Sequence, residues 1–276
     1  MDLSNNQVKT KLFMLASMQL PCYDNGSVFT NTEKLDKVRE ILRNKTYTEQ
    51  DKPYLETVGN LFRLYSRKPA EELDPSTAIV ISTHADFVKQ IRKPFVKGDS
   101  DGSLLGTFDN SATNAAALYL LYEGQLPDNV LVAFTGNEES GMRGAAELDY
   151  YLSQMLGGHP FYMTLDVTDN NYGESHFTLE NCFSMSKKEI GELVDVIQAS
   201  GIRGYGYPRA LPDEAYRYAN LGAHSCSICV PTEGPMHSNK GCNMELSAYL
   251  DYVDVVRQIA MKFRQPPNIA IEHLRS

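Results

Sequence analysis

Apolar residues recur along this chain with two different periods, and the switches between them outline its elements. Between 30 and 43, TNTEKLDKVREILR spaces Leu35, Val38, Ile41 and Leu42 as one face of a helix. PYLETVGNLFRLYSR (53–67) repeats that spacing through Leu55, Val58, Leu61, Phe62 and Tyr65 and predicts a second helix. Residues 1–75 are therefore expected to be a helical N-terminal segment. From Ala78 onward the period changes. AIVIST (78–83) and NVLVAFTG (129–136) are short apolar runs suited to strands buried on both faces. YMTLDVT (162–168), HFTLE (176–180) and HSCSICVP (224–231) are further strands. Helices fill the intervals: 110–124 ending at Gly124, 141–156 ending before Gly157-Gly158, and 244–263. Another, 186–201, opens with a Ser186/Glu189 capping box and closes at Gly201. Strands alternating with helices predict a single three-layer α/β/α domain spanning 1–276, with a central mixed, mostly parallel sheet.

Composition narrows the function classes. The 276 residues are 42% hydrophobic and 22% charged, ample for one large core. A formal net charge of −9 without a basic stripe argues against a nucleic-acid partner. No stretch has the length of a membrane span, and MDLSNNQVKT has neither the basic start nor the apolar run of a signal peptide. A cytoplasmic protein with reduced thiols is expected, with no membrane partner. The five cysteines do not form a disulfide framework. CSIC (226–229) has the spacing of a redox or zinc motif, but in a strand Cys226 and Cys229 would face opposite sides, so core packing is the expectation.

The chemistry lies at strand ends. ISTHADF brings His84 and Asp86, GTFDNSA brings Asp109 just before a helix, and TGNEES brings Glu138 and Glu139. TLDVT brings Asp166, and GPMHSNKG brings His237 past the 224–231 strand. Each alone has a plain explanation: a core histidine, a helix cap, a turn aspartate, a solvated pair. Together, two imidazoles and several carboxylates converging on one crevice match the ligands of one or two zinc-like divalent ions. Asp86, two residues beyond His84, can accept the ring N–H that a ligating imidazole leaves free. Glu-Glu at the end of a core strand then makes sense, because one carboxylate can anchor an ion while its neighbour moves a proton.

In order and residue type, this set resembles the co-catalytic di-zinc aminopeptidases and their carboxypeptidase, deblocking-aminopeptidase and glutaminyl-cyclase relatives. The resemblance runs from about Ala78 to the C-terminus. It implies a metallopeptidase with two divalent ions, zinc by the same resemblance, held by His84, Asp109, Glu139, Asp166 and His237, Asp109 bridging. It also implies Glu138 as general acid/base and Asp86 as the residue orienting His84. Only 25 residues separate His84 from Asp109, and 71 separate Asp166 from His237, too few for the inserted domains of the larger relatives. EESGMRGAAEL and DEAYRYANLGAHSCSICVPTEGPMHS look closer to the glutamyl and deblocking group, while Asn137 and Lys240 depart from the pattern.

The expected activity is therefore hydrolysis of N-terminal residues from peptides or amino-acyl amides, in a chain that could form a homo-oligomer. Asp213, after Pro212 at a helix start, is a candidate for positioning substrate and equally a capping residue. Three alternatives use the same residues. A carboxypeptidase or N-acyl-amino-acid deacylase needs a guanidinium for a carboxylate, and none is obviously placed for it, though Arg203 and Arg209 lie in a plausible loop. A single-zinc glutaminyl cyclase lacks the first histidine, so His84 argues against it. A non-catalytic binding domain has no need of both glutamates.

Overall fold

The computed structural model describes residues 5–47, 53–98, 102–124, 126–207 and 210–265. The chain opens with α1 (Asn6–Ser17), whose Met14 and Leu15 are buried and whose Lys11 Nζ reaches Asp254 at 2.7 Å. A short ribbon follows, β1 (Tyr23–Asp24) and β2 (Phe29–Asn31), then α2 (Glu33–Arg43), β3 (Leu55–Val58) and β4 (Phe62–Ser66). The remaining elements are β5 (Ile79–His84), β6 (Val96–Gly98), β7 (Ser103–Gly106), α3 (Ser111–Glu123), β8 (Val130–Thr135) and α4 (Arg143–Leu156). After these come β9 (Phe161–Thr168), β10 (Phe177–Glu180), α5 (Lys187–Ala199), β11 (Gly204–Tyr207) and α6 (Glu214–Asn220). β12 (Ser225–Pro231), β13 (Cys242–Glu245) and α7 (Leu246–Lys262) complete the described chain.

Eight strands form the central sheet in the order β11-β10-β12-β9-β5-β8-β4-β3. Its middle, β12-β9-β5-β8, is parallel throughout, and the antiparallel pairings lie toward the edges. Side chains alternate across it as the pleat requires. Ile79, Ile81, Val132 and Phe134 pack toward α1, α2, α3 and α7, whereas Val80, Leu131 and Ala133 pack toward α4 and α6. The expected three layers are present. α5 begins at the predicted capping box, with Ser186 and Glu189 bonded reciprocally. A separate three-stranded sheet, β13-β7-β6, lies beside the main one.

The first 75 residues are less helical than their spacing predicts, because 53–67 is a hairpin. Its turn lies at Gly59-Asn60, where the Gly59 N–H donates to the Phe62 carbonyl at 3.0 Å. A Cβ on Gly59 would sit 2.2 Å from the Phe62 ring, which packs against the turn. β4 then adds antiparallel to β8, Phe62 opposite Thr135 and Tyr65 opposite Val132. Pairing with a strand far along the sequence outweighs the local helical spacing.

Candidate metal centre

The parallel strands deliver the site. His84 is the last residue of β5, Asp166 lies near the end of β9, and β8 runs into the 136–142 turn that carries Glu138 and Glu139. β12 leads to His237, and β7 leads to Asp109 at the start of α3. β13 pairs with β7, Cys242 opposite Gly106, which ties the His237 and Asp109 loops together. His84, Asp166 and the 136–142 turn sit at the carboxyl ends of parallel strands, the usual crevice of such a sheet, and Asp109 reaches it from the antiparallel β7 of the smaller sheet.

Asp109 stands at the centre. Its Oδ1 lies 3.1 Å from His84 Nε2, at an angle that makes no hydrogen bond, and its Oδ2 lies 2.8 Å from His237 Nε2. Asp166 Oδ1 is 3.6 Å from His84 Nε2, and Glu139 Oε2 is 3.5 Å from His237 Nε2. Donor atoms of three groups lie within 4.8 Å of one another: His84–Asp109–Asp166, Asp109–Glu139–His237, and His84–Glu138–Glu139. His84 turns its other nitrogen, Nδ1, to the Asp86 backbone carbonyl at 3.2 Å, with the Asp86 carboxylate at 3.6 Å. The predicted support for His84 therefore comes chiefly from the main chain of Asp86, whose carboxylate instead accepts from Glu138 N at 3.5 Å.

Electrostatics show how well the group suits a cation. Burial, reinforced by Asp166, Glu139 and Asp109, pushes the Glu138 carboxyl up to about 9. Burial and Asp109 push Glu139 up to about 8. Burial opposes a charge on His84, yet its carboxylate neighbours Asp109, Asp166 and Asp86 hold it well above its usual value. The bond to Asp109 raises His237 to about 9. Glu138 and Glu139 are thus held toward their protonated forms, while the bond to His237 and the adjacent His84 ring, against burial, hold Asp109 below the usual carboxylate range; divalent ions would displace the protons of the glutamates. Asp109 Oδ1 and Glu139 Oε1 are buried without a hydrogen-bond partner, as free ligand atoms should be. An N/O donor set of this kind suits zinc-like ions. The residues fit the group.

Cavities flank the cluster on both sides. One of about 300 Å³ is lined by Tyr23, Asp24, Asp86, Phe87 and Glu139 among others. A smaller one, about 100 Å³, is walled by Asp166, Glu180, Leu211, Asp213 and Met236. Asp213 caps α6, accepting from Ala215 N at 2.9 Å and Tyr216 N at 3.3 Å, and it takes the Ser227 hydroxyl as well. Burial, with Asp166 nearby, lifts its carboxyl to about 6. The structure thus shows Asp213 as the cap of α6 and as part of the wall of this cavity. Arg203 donates to the Gly173 carbonyl at 3.1 Å, and Arg209 lies outside the described residues.

Sequence reasoning passed over the support behind these residues. Lys34 of α2 is fully buried, donating to the Ala85 carbonyl at 2.8 Å and Asn114 Oδ1 at 2.9 Å, with the Phe87 ring 3.8 Å away. Asn114 in turn donates to the His84 carbonyl at 2.7 Å and Thr83 Oγ1 at 2.8 Å. Its clue was in plain sight: Lys34 shares the apolar stripe of Val38 and Ile41, at i, i+4 and i+7. Glu214, also buried, accepts from Ser82 Oγ at 3.0 Å, two residues before His84. All five cysteines are free and buried, Cys226 and Cys229 within β12, as core packing predicts.

No protein-family model matches the chain, and no curated protein matches it. Solved structures do resemble it. A TET aminopeptidase from a marine sediment archaeon of the Thaumarchaeota is similar over 96% of this chain and 99% of its own, with 14% identity and a TM-score of 0.71. An aminopeptidase from the archaeon Desulfurococcus kamchatkensis is similar over 97% and 98%, with 13% identity and a TM-score of 0.70. The TET1 peptidase of Pyrococcus horikoshii, which can assemble into a tetrahedron or a large octahedral shell, is similar over 92% and 99%, with 12% identity and a TM-score of 0.65. At these identities the likeness establishes the architecture: this chain has the fold of those aminopeptidases.

Proposed function

We propose that the protein is a metal-dependent aminopeptidase that uses two divalent ions, with zinc the best-suited metal. One observation carries the reading: two donor groups share the central carboxylate of Asp109, and Glu138 stands beside them as an additional carboxylate. His84, Asp109 and Asp166 would hold one ion; Asp109, Glu139 and His237 the other. Divalent ions at such a site acidify water from a pKa of 15.7 toward about 7 and polarise an amide carbonyl. Glu138 takes the proton as water attacks the carbonyl, then returns it to the leaving amine. Asp86 fixes the His84 ring so that Nε2 faces the site, while its carboxylate bonds the main chain at Glu138. The cavity beside Asp213 has the scale of a single side chain, which supports removal of one terminal residue at a time.

The rest of the reading follows from this fold. Assembly of the Pyrococcus protein supports self-association here. Five buried free thiols support a reducing compartment, the cytoplasm. Among the described residues no helix is long and apolar enough to cross a membrane. The deciding experiment pairs the two glutamates, with zinc content and turnover of aminoacyl amides measured together. Glu138→Gln should retain metal and lose roughly 10²–10⁴-fold in rate. Glu139→Gln should chiefly lose metal, and added zinc should restore part of the rate. If both variants keep metal and activity, the hydrolase reading is wrong.

A further inference from the structure

The turn carrying Glu138 is held from outside by the N-terminal segment. Asn137, immediately before Glu138, is buried and has φ +60°, a left-handed conformation that its surroundings must enforce. The enforcing group is a carboxylate 113 residues away. Asp24 Oδ2 accepts from the Asn137 backbone N–H at 2.7 Å, and Asp24 Oδ1 accepts from Asn137 Nδ2 at 3.4 Å. Asp24 Oδ1 also accepts from Gly26 N at 2.8 Å, which closes the β1–β2 turn on the same carboxylate. Further bonds complete the grip: Asn137 Nδ2 to Ser140 Oγ at 2.6 Å, Met142 N to Asn137 O at 2.6 Å, and Arg143 Nη1 to the Gly26 carbonyl.

An anion here is costly. Asp24 lines the same cavity as Asp86 and Glu139, adding negative charge to an already acidic site. A substrate amine is one partner for that charge, but three N–H groups of the chain already take up most of the acceptor sites of the carboxylate. What the charge gains is a strong bond to the N–H beside Glu138, since charge-assisted bonds are about twice as strong as neutral ones.

We propose that Asp24 is a positioning residue for Glu138, fixing the Asn137 turn so that the Glu138 carboxylate meets the reacting water. The inference rests on the metallopeptidase reading above. It makes the β1–β2 ribbon, which carries no metal ligand, part of the catalytic apparatus.

The test compares wild type with Asp24→Ala and Asp24→Asn as full-length, zinc-reconstituted protein. Asp24→Ala should lower kcat by up to about 100-fold, the effect of misplacing a reacting group by an ångström, with KM and zinc content unchanged. Asp24→Asn keeps the shape and one acceptor oxygen, so it should recover part of kcat. Independently of activity, hydrogen exchange at the amides of 137–142 should quicken in Asp24→Ala and less so in Asp24→Asn. A raised KM with unchanged kcat would make Asp24 a substrate contact and overturn the proposal. Loss of zinc with normal exchange would make it a metal contact, with the same consequence. Unchanged exchange in a folded variant also overturns it. If wild type itself hydrolyses nothing, the functional reading fails, and the exchange comparison still decides whether Asp24 fixes the turn. If Asp24→Ala does not fold, the Asp24→Asn comparison decides: no change in kcat and exchange overturns the proposal.

Discussion

Lys34 makes a sharp prediction, because a buried ammonium leaves a signature in the pH dependence of stability. Burial lowers its pKa from an ordinary 10.5 to about 8, even with its hydrogen bonds to Ala85 and Asn114 and the negative charges of Asp86 and Asp109 opposing the shift. At 1.36 kcal/mol per pKa unit, that difference is worth about 3 kcal/mol. Between pH 8 and 10.5 the folded chain has released this proton and the unfolded chain still holds it. Stability rises with pH wherever the unfolded state binds more protons. Lys34 should therefore make the wild type progressively more stable over this window, by up to about 3 kcal/mol, relative to Lys34→Met. Below pH 8 the lysine contributes no slope. Urea unfolding of both proteins at half-unit steps from pH 7 to 10.5 gives the difference directly, since the other groups titrating there are common to both. A difference that stays flat or falls across the window would mean that the ammonium is not desolvated, and the reasoning fails.

Gly144→Ala should destabilise the fold by about 3 kcal/mol, because its Cβ would lie 2.3 Å from the Gly136 carbonyl and 2.7 Å from that of Leu61, both backbone atoms. An unchanged thermal midpoint would refute that close approach. Asp86→Ala keeps the main-chain carbonyl that faces His84 Nδ1 but loses the carboxylate that accepts from Glu138 N, so it should lower turnover by up to about 100-fold with zinc affinity retained; loss of zinc in titration would show instead that the carboxylate holds His84. Asp213→Ala should cost about 1 kcal/mol as a lost helix cap, read by urea denaturation. A raised KM without loss of stability would instead make Asp213 a substrate contact.

The ligand set was legible because a polar residue at the end of an apolar strand is expensive unless something needs it there. Asp166 interrupts an apolar run, His84 and Glu139 follow one within a few residues, and the parallel sheet brought them together. The helix at 244–263 and the capping box at Ser186 were legible for local reasons, through periodicity and a side chain that bonds within its own turn. The 53–67 hairpin was not, because its apolar residues satisfy both periods and only Gly59-Asn60 marks the reversal. Asp24 was hidden differently. In sequence it belongs to an ordinary Asp-Asn-Gly turn, and its meaning depends on Asn137, which no local pattern connects to it. Lys34 had a signal, a cation in an apolar stripe, but its partners are supplied by β5 and α3.

The pairing of β4 with β8, together with the bond from Gly136 N to the Leu61 carbonyl at 2.9 Å, makes the 136–142 turn dependent on chain synthesised long before it. Such distant partners meet late, because closing a long loop costs entropy before any contact rewards it. A nascent or half-folded chain can thus own every ligand and still have no place for a metal. On the proposed reading, metal affinity belongs to the finished fold, so zinc taken up during refolding should report the closing of the β4–β8 pair rather than the mere presence of the ligands.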